Sequence, residues 1–142
     1  MKMNKIWIAC AMLLAGCITA LAAGTATLKI VVEGISGTEG KVRVALYDSE
    51  GNWLKNSVRG DAANPTKPET VLVFEDLEPG EYAISVMYDI DGDGKLNKNM
   101  FGMPTEPYGF SNNARGSFGP AKWSNAKFSV IAGDNEARLT VR

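Results

Sequence analysis

The sequence predicts an all-β fold, an antiparallel β-sandwich of about seven strands carrying one long loop. Three observations point there. Short runs of alternating apolar and polar residues recur along the chain, turn residues separate them, and no segment beyond the first two dozen residues keeps a helical stripe.

The alternation begins after Thr25. Leu28, Ile30 and Val32 share one face of a strand against Thr27 and Lys29, and Val42, Val44 and Leu46 repeat the pattern against Lys41, Arg43 and Ala45. Between them GISGTEG, residues 34–40, is rich in turn formers and fits a hairpin or a short connection. Residues 48–68 are looser, with Trp53 and Leu54 as apolar anchors and Pro65 and Pro68 breaking regularity. TVLVF, residues 70–74, reads as a third strand. DLEPG, residues 76–80, reads as a turn in which Pro79 presets φ and Gly80 supplies the positive φ. The fourth strand has the clearest alternation, with Tyr82, Ile84, Val86 and Tyr88 on one face and Ala83, Ser85 and Met87 on the other. Alternation then stops until KFSVI, residues 127–131, which with ARLTV, residues 137–141, gives a last strand pair around Gly133, Asp134 and Asn135.

The chain has 142 residues, 45% hydrophobic and 22% charged, which suits one globular domain over residues 23–142. Residues 1–22 read as an export signal: Lys2 and Lys5, an apolar core IWIACAMLL, then small residues. LAGC resembles a lipobox, with Cys17 lipidated as the first mature residue; ALA, residues 20–22, resembles a signal-peptidase site with cleavage before Ala23. Either reading sends the protein to the periplasm or cell envelope, the first as a lipoprotein of the outer membrane. Cleavage after Ala22 leaves 13 basic against 16 acidic residues, since Lys2 and Lys5 are the only charges removed. That balance argues against a nucleic-acid footprint and a polybasic membrane patch, so a lipid at Cys17 is the one membrane contact expected. Cys10 and Cys17 both fall in the export segment, and the folded part is expected to hold by its core alone.

YDIDGDGKLNKNM, residues 88–100, carries the first candidate chemistry. Calcium takes six to eight oxygens, and a hand-type loop supplies them from positions 1, 3, 5, 7 and 9, with glycine at 6 and a bidentate acid at 12. Counted from Asp89, the ligands are Asp91, Asp93, the Lys95 carbonyl and Asn97, Gly94 takes the glycine position, and Met100 stands where the closing acid belongs. Without that acid, affinity falls toward the roughly 10⁻⁴–10⁻³ M of extracellular modules, unless Glu106 swings in to replace it. The competing reading is a polar turn in which Asp and Gly serve turn geometry.

FGMPTEPYGFSNNARGSFGPAKW, residues 101–123, cannot form a regular element. Tyr108, Phe110, Asn112, Asn113, Arg115 and Trp123 suit a ligand face, since aromatics beside amide and guanidinium donors fit sugars or peptides. The alternative has the aromatics packing the loop onto the sandwich while the asparagines satisfy backbone groups. Met100 then starts the apolar segment that packs the loop down.

These stretches carry a resemblance. DLEPGEYAISVMYDIDGDGKL, then GMPTEPYGFSNNARGSFGP and AKF, together with the earlier GKVRVALYDSEG, resemble a family of exported bacterial proteins, domain of unknown function 2141. The resemblance implies a transthyretin-like or immunoglobulin-like sandwich and supplies no activity.

Catalysis has little to work with. The chain has no histidine and the folded part no thiol, which removes Ser-His and Cys-His machinery and the usual zinc sites. A carboxylate pair such as Asp89 with Glu106 is the remaining, glycosidase-like route. The leading expectation is a non-catalytic module presenting its loop to a carbohydrate or an envelope protein; a purely structural envelope protein is the rival.

Overall fold

The apolar faces of successive strands meet between two sheets. The structure, a computed structural model, describes residues 24–142, so Cys10, Cys17 and both cleavage positions lie outside the described residues. Eight strands run in order: β1 (Ala26–Glu33), β2 (Lys41–Tyr47), β3 (Arg59–Ala63), β4 (Glu69–Leu77), β5 (Gly80–Asp89), β6 (Tyr108–Phe110), β7 (Phe128–Val130) and β8 (Gly133–Thr140). One sheet is ordered β4-β1-β8; the other is β3-β2-β5-β6, with β7 also paired to β5. The fold is an all-β sandwich.

The topology departs from the sequence reading in its connections. β1 runs parallel to β8, from Ala26 opposite Gly133 to Glu33 opposite Thr140, so the sandwich is not wholly antiparallel. The last two strands do not pair with each other: β7 joins β5 and β8 joins β1. Asn135 stabilises the turn between them, accepting from the Ile131 amide at 3.0 Å and donating to the Ile131 and Gly133 carbonyls. Residues 34–40 and the Glu78-Pro79 link likewise cross between sheets. Ahead of the second crossing the positive φ belongs to Asp76, near the end of β4, at 55°, and not to Gly80, as an aspartate tolerates the left-handed region better than most side chains do. Sequence reading also passed over β3. Its RGDAA has no apolar alternation, because β3 is a sheet edge whose Arg59 and Asp61 face solvent and discourage pairing with another chain.

Alternation has its predicted consequence in the core. Leu28, Ile30, Val42, Leu46, Ile84 and Leu139 are fully buried between the sheets. Each such side chain contributes roughly 1.5–3 kcal/mol relative to exposure. A second apolar cluster lies on the outer face of the larger sheet, where Tyr47, Ala83, Phe110, Ala121, Trp123 and Ala126 pack together with Trp53 against them. Trp53 meets Tyr47 edge-on at 5.0 Å between ring centroids, and its Nε1 donates to the Ala121 carbonyl at 2.8 Å. The sandwich therefore buries apolar surface on both faces of one sheet, and the long loop is the cover for the second.

Candidate metal centre

Strand register brings the acidic residues together. β5 alternates so that Asp89 ends the strand on its outer face, as does Arg43 on β2. Lys41 sits opposite Asp89 and Arg43 opposite Met87, which makes Arg43 and Asp89 diagonal neighbours on one face. Their side chains meet, Arg43 Nε donating to Asp89 Oδ2 at 2.6 Å. On the other side of β5, Met87 faces Tyr108, and the Tyr88 amide donates to the Pro107 carbonyl at 2.8 Å, extending the β6 ladder. Two residues further back along that line Glu106 arrives beside Asp89. Oxygens of Asp89, Asp91 and Glu106 all lie within 4.8 Å of one another.

The loop between them is built to deliver Glu106. A bridge between Lys98 and Pro104, the Thr105 amide on the Asn97 carbonyl and the Asn99 amide on the Met103 carbonyl fold residues 97–105 into a small hairpin. Its return arm carries Glu106 to the start of the loop, where Oε1 accepts the Ile90 amide at 2.9 Å and Oε2 the Asn97 amide at 3.1 Å. The aspartates close a series of turns. Asp89 accepts the amides of Gly92 and Gly94, Asp91 that of Asp93 and the Asn97 side-chain amide, and Asp93 that of Lys95. Gly40 closes the site from behind: it has φ 76°, and a Cβ there would strike the carbonyls of Asp89 and Ile90.

Asp89 is fully buried, and burial by itself pushes its carboxyl up. The hydrogen bonds from Arg43 and the Gly94 amide outweigh that cost, helped by a bond to Asp91 and the Arg43 charge, and hold its carboxyl below the usual carboxylate value. Asp89 is thus an anion kept in place by one guanidinium and two amides. Three acidic side chains cluster against one guanidinium, an acidic excess of the kind that suits a cation.

Residues 30–138 match the family described as "Uncharacterized protein conserved in bacteria" (DUF2141). The chain belongs to it. No curated protein and no solved structure matches the chain.

In this DUF2141 chain the residues singled out from sequence divide into three groups. Asp89 and Asp91 converge with Glu106. Asp93 and Lys95 stand exposed on the same loop outside that trio, and Asn97 is half-buried beside Asp91. Phe110 and Trp123 are buried in the outer cluster, their rings 5.6 and 6.0 Å from that of Trp53, while Tyr108 is half-buried against Phe110. Asn112 donates to the carbonyls of Asn125 and Lys127, Asn113 accepts the Thr140 amide at 2.8 Å, and Arg115 is exposed. Tyr108, Phe110, Asn113 and Arg115 border one cavity of about 400 Å³ that Arg142 also lines. Met100 does not pack the DUF2141 loop down: it is 90% exposed, with Phe101 at 80% and Met103 at 63%, because the hairpin turns its tip away from the sheet.

Sequence reading missed Arg43 at this centre. Its only signal was a place on the polar face of β2, and its partner depended on a register that spacing alone does not give. Ser111 was missed as well. Its buried hydroxyl accepts the Ile84 amide at 2.9 Å and donates to the Ala126 carbonyl, tying the long loop to β5 beyond the end of β6.

Proposed function

We propose that the protein is an exported, non-catalytic binding module of the bacterial cell envelope, whose long loop is fixed by a calcium ion held by Asp89, Asp91 and Glu106. The observation that carries this reading is the return of Glu106 to the aspartate run. The position where a hand-type loop needs its closing acid holds Met100, and Glu106 reaches the same place from further along the chain. The three carboxylates offer oxygen ligands of the kind calcium takes, and the Gly92 and Gly94 amides that Asp89 accepts shape the loop around them.

The non-catalytic part of the reading rests on how the acids are occupied. Asp89 is fully buried against Arg43, and both Glu106 oxygens accept backbone amides, so neither carboxyl stands free to pass protons to a substrate. Export rests on the character of residues 1–22. The partner is an envelope protein or a carbohydrate that meets the loop.

Isothermal calorimetry with calcium tests the metal reading. Binding at about 10⁻⁴–10⁻³ M is expected, weakened about tenfold or more in Glu106→Gln, which loses one charge and a ligand oxygen. Absence of heat at millimolar calcium, with an unmoved melting temperature, refutes it. Intact-mass measurement of the exported protein distinguishes lipidated Cys17 from cleavage after Ala22.

A further inference from the structure

The outer face of the larger sheet is only partly covered. Register sets Ala45 beside Ser85 and Ser85 beside Phe110, so two small side chains lie next to each other in the middle of this face. Larger groups rise around them: Tyr47, Leu54 from the β2–β3 connection, Leu96 and Pro104 from the long loop, and Pro120. They enclose a cavity of about 660 Å³. Small-molecule sites span roughly 300–1,000 Å³, and most of their lining is apolar, as here.

Two further features narrow the occupant. Arg43 and Lys98 line the cavity and no acidic side chain does, in a chain whose net charge is −1. Arg43 gives Nε to Asp89, and its two Nη groups donate to no side chain or backbone group among the described residues. The rest of the lining is mostly apolar, with Val44, Leu54, Val86, Leu96, Pro104 and Pro120 contributing to it.

We propose that this cavity binds a single-chain anionic amphiphile of the fatty-acid type. Its carboxylate meets Lys98 and the Arg43 Nη groups, the two cations of the lining, Asp89 holding Arg43 through Nε alone. Its chain lies over Ala45 and Ser85, among Leu54, Leu96 and Pro120. This goes beyond the calcium reading: the cavity lining includes none of the three clustered carboxylates.

The test uses the full mature protein and decanoate at concentrations below micelle formation, followed by calorimetry and by displacement of anilinonaphthalene sulfonate. Decanol gives the same chain without the charge, and Ser85→Leu and Lys98→Gln alter the site. Ser85 sits outside the inter-sheet core and Lys98 is exposed, so their melting temperatures serve as the control. The expected result is saturable binding of one decanoate per chain, decanol weaker by about tenfold or more, and Ser85→Leu without binding. Lys98→Gln should weaken binding by about fivefold with an unchanged melting temperature, the effect of one partly solvated ion pair. Decanol binding as well as decanoate, or Lys98→Gln binding as wild type, overturns the proposal. Retention on phosphatidylglycerol vesicles without any binding of free decanoate also overturns it, and makes the exposed hairpin tip at Met100, Phe101 and Met103 a membrane contact instead.

Discussion

Arg43 Nε lies 2.6 Å from Oδ2 of Asp89, joining adjacent strands β2 and β5 at the point where β5 ends and the long loop begins. One partner is fully buried and the other is 37% exposed. Removing the guanidinium leaves a buried anion with only amides to hold it. Breaking a buried pair costs about 3–5 kcal/mol, and water reaching the vacated place reduces this, so Arg43→Met should lose about 2 kcal/mol in urea unfolding. If the acids also hold calcium, the added ion should raise the melting temperature of Arg43→Met more than that of the wild type, since it replaces the missing charge.

The same pair sets a pH dependence. In the unfolded chain Asp89 titrates near the usual value of about 3.9, and in the folded protein lower. A lowered folded value means that the unfolded state takes up the proton first as pH falls. The stabilisation is therefore complete above about pH 5 and is lost as pH drops below about 4 through the folded value. Melting temperatures from pH 6 to 2 should fall more steeply for the wild type than for Asp89→Asn, whose side chain does not titrate.

Ser111 tests how the loop is tied to the sheet. Its hydroxyl serves the Ile84 amide and the Ala126 carbonyl, and it is 1% exposed. Ser111→Ala leaves both without a partner and should cost about 1–3 kcal/mol by chemical denaturation.

The aromatic residues of the long loop should divide by burial and not by type. Trp123 is 8% exposed and packs against Trp53, so Trp123→Ala should cost about 3–5 kcal/mol. Phe101→Ser, at a residue 80% exposed, should change stability by no more than about 0.5 kcal/mol. Thermal unfolding of the two variants side by side checks the division.

Much of the fold was legible because period-two alternation reports burial directly. β1, β2, β4 and β5 alternate between a buried inner face and a more exposed outer one, and each was read from its apolar positions. β3 and β6 were not. An exposed edge strand has no inner face to mark, and three residues of β6 are too few to show a period. Sequence also does not say which strands pair, which is why the parallel partnership of β1 with β8 and the inter-sheet crossings came only from the structure. The candidate site divides in the same way. Spacing identified Asp89 and Asp91 and named Glu106 as a replacement for the missing acid, but its approach depends on the β5–β6 register and the hairpin of residues 97–105. Arg43 is 46 residues from Asp89 in sequence, and two strands had to be set side by side before the pair existed.

The central claim is that three carboxylates converge to hold an ion at the start of the loop. A crystal structure grown in millimolar calcium, with an anomalous difference map, measures this most directly. The account predicts a peak about 2.3–2.6 Å from oxygens of Asp89, Asp91 and Glu106. A map without a peak there, with Glu106 still on the Ile90 and Asn97 amides and Asp89 on Arg43, would contradict it.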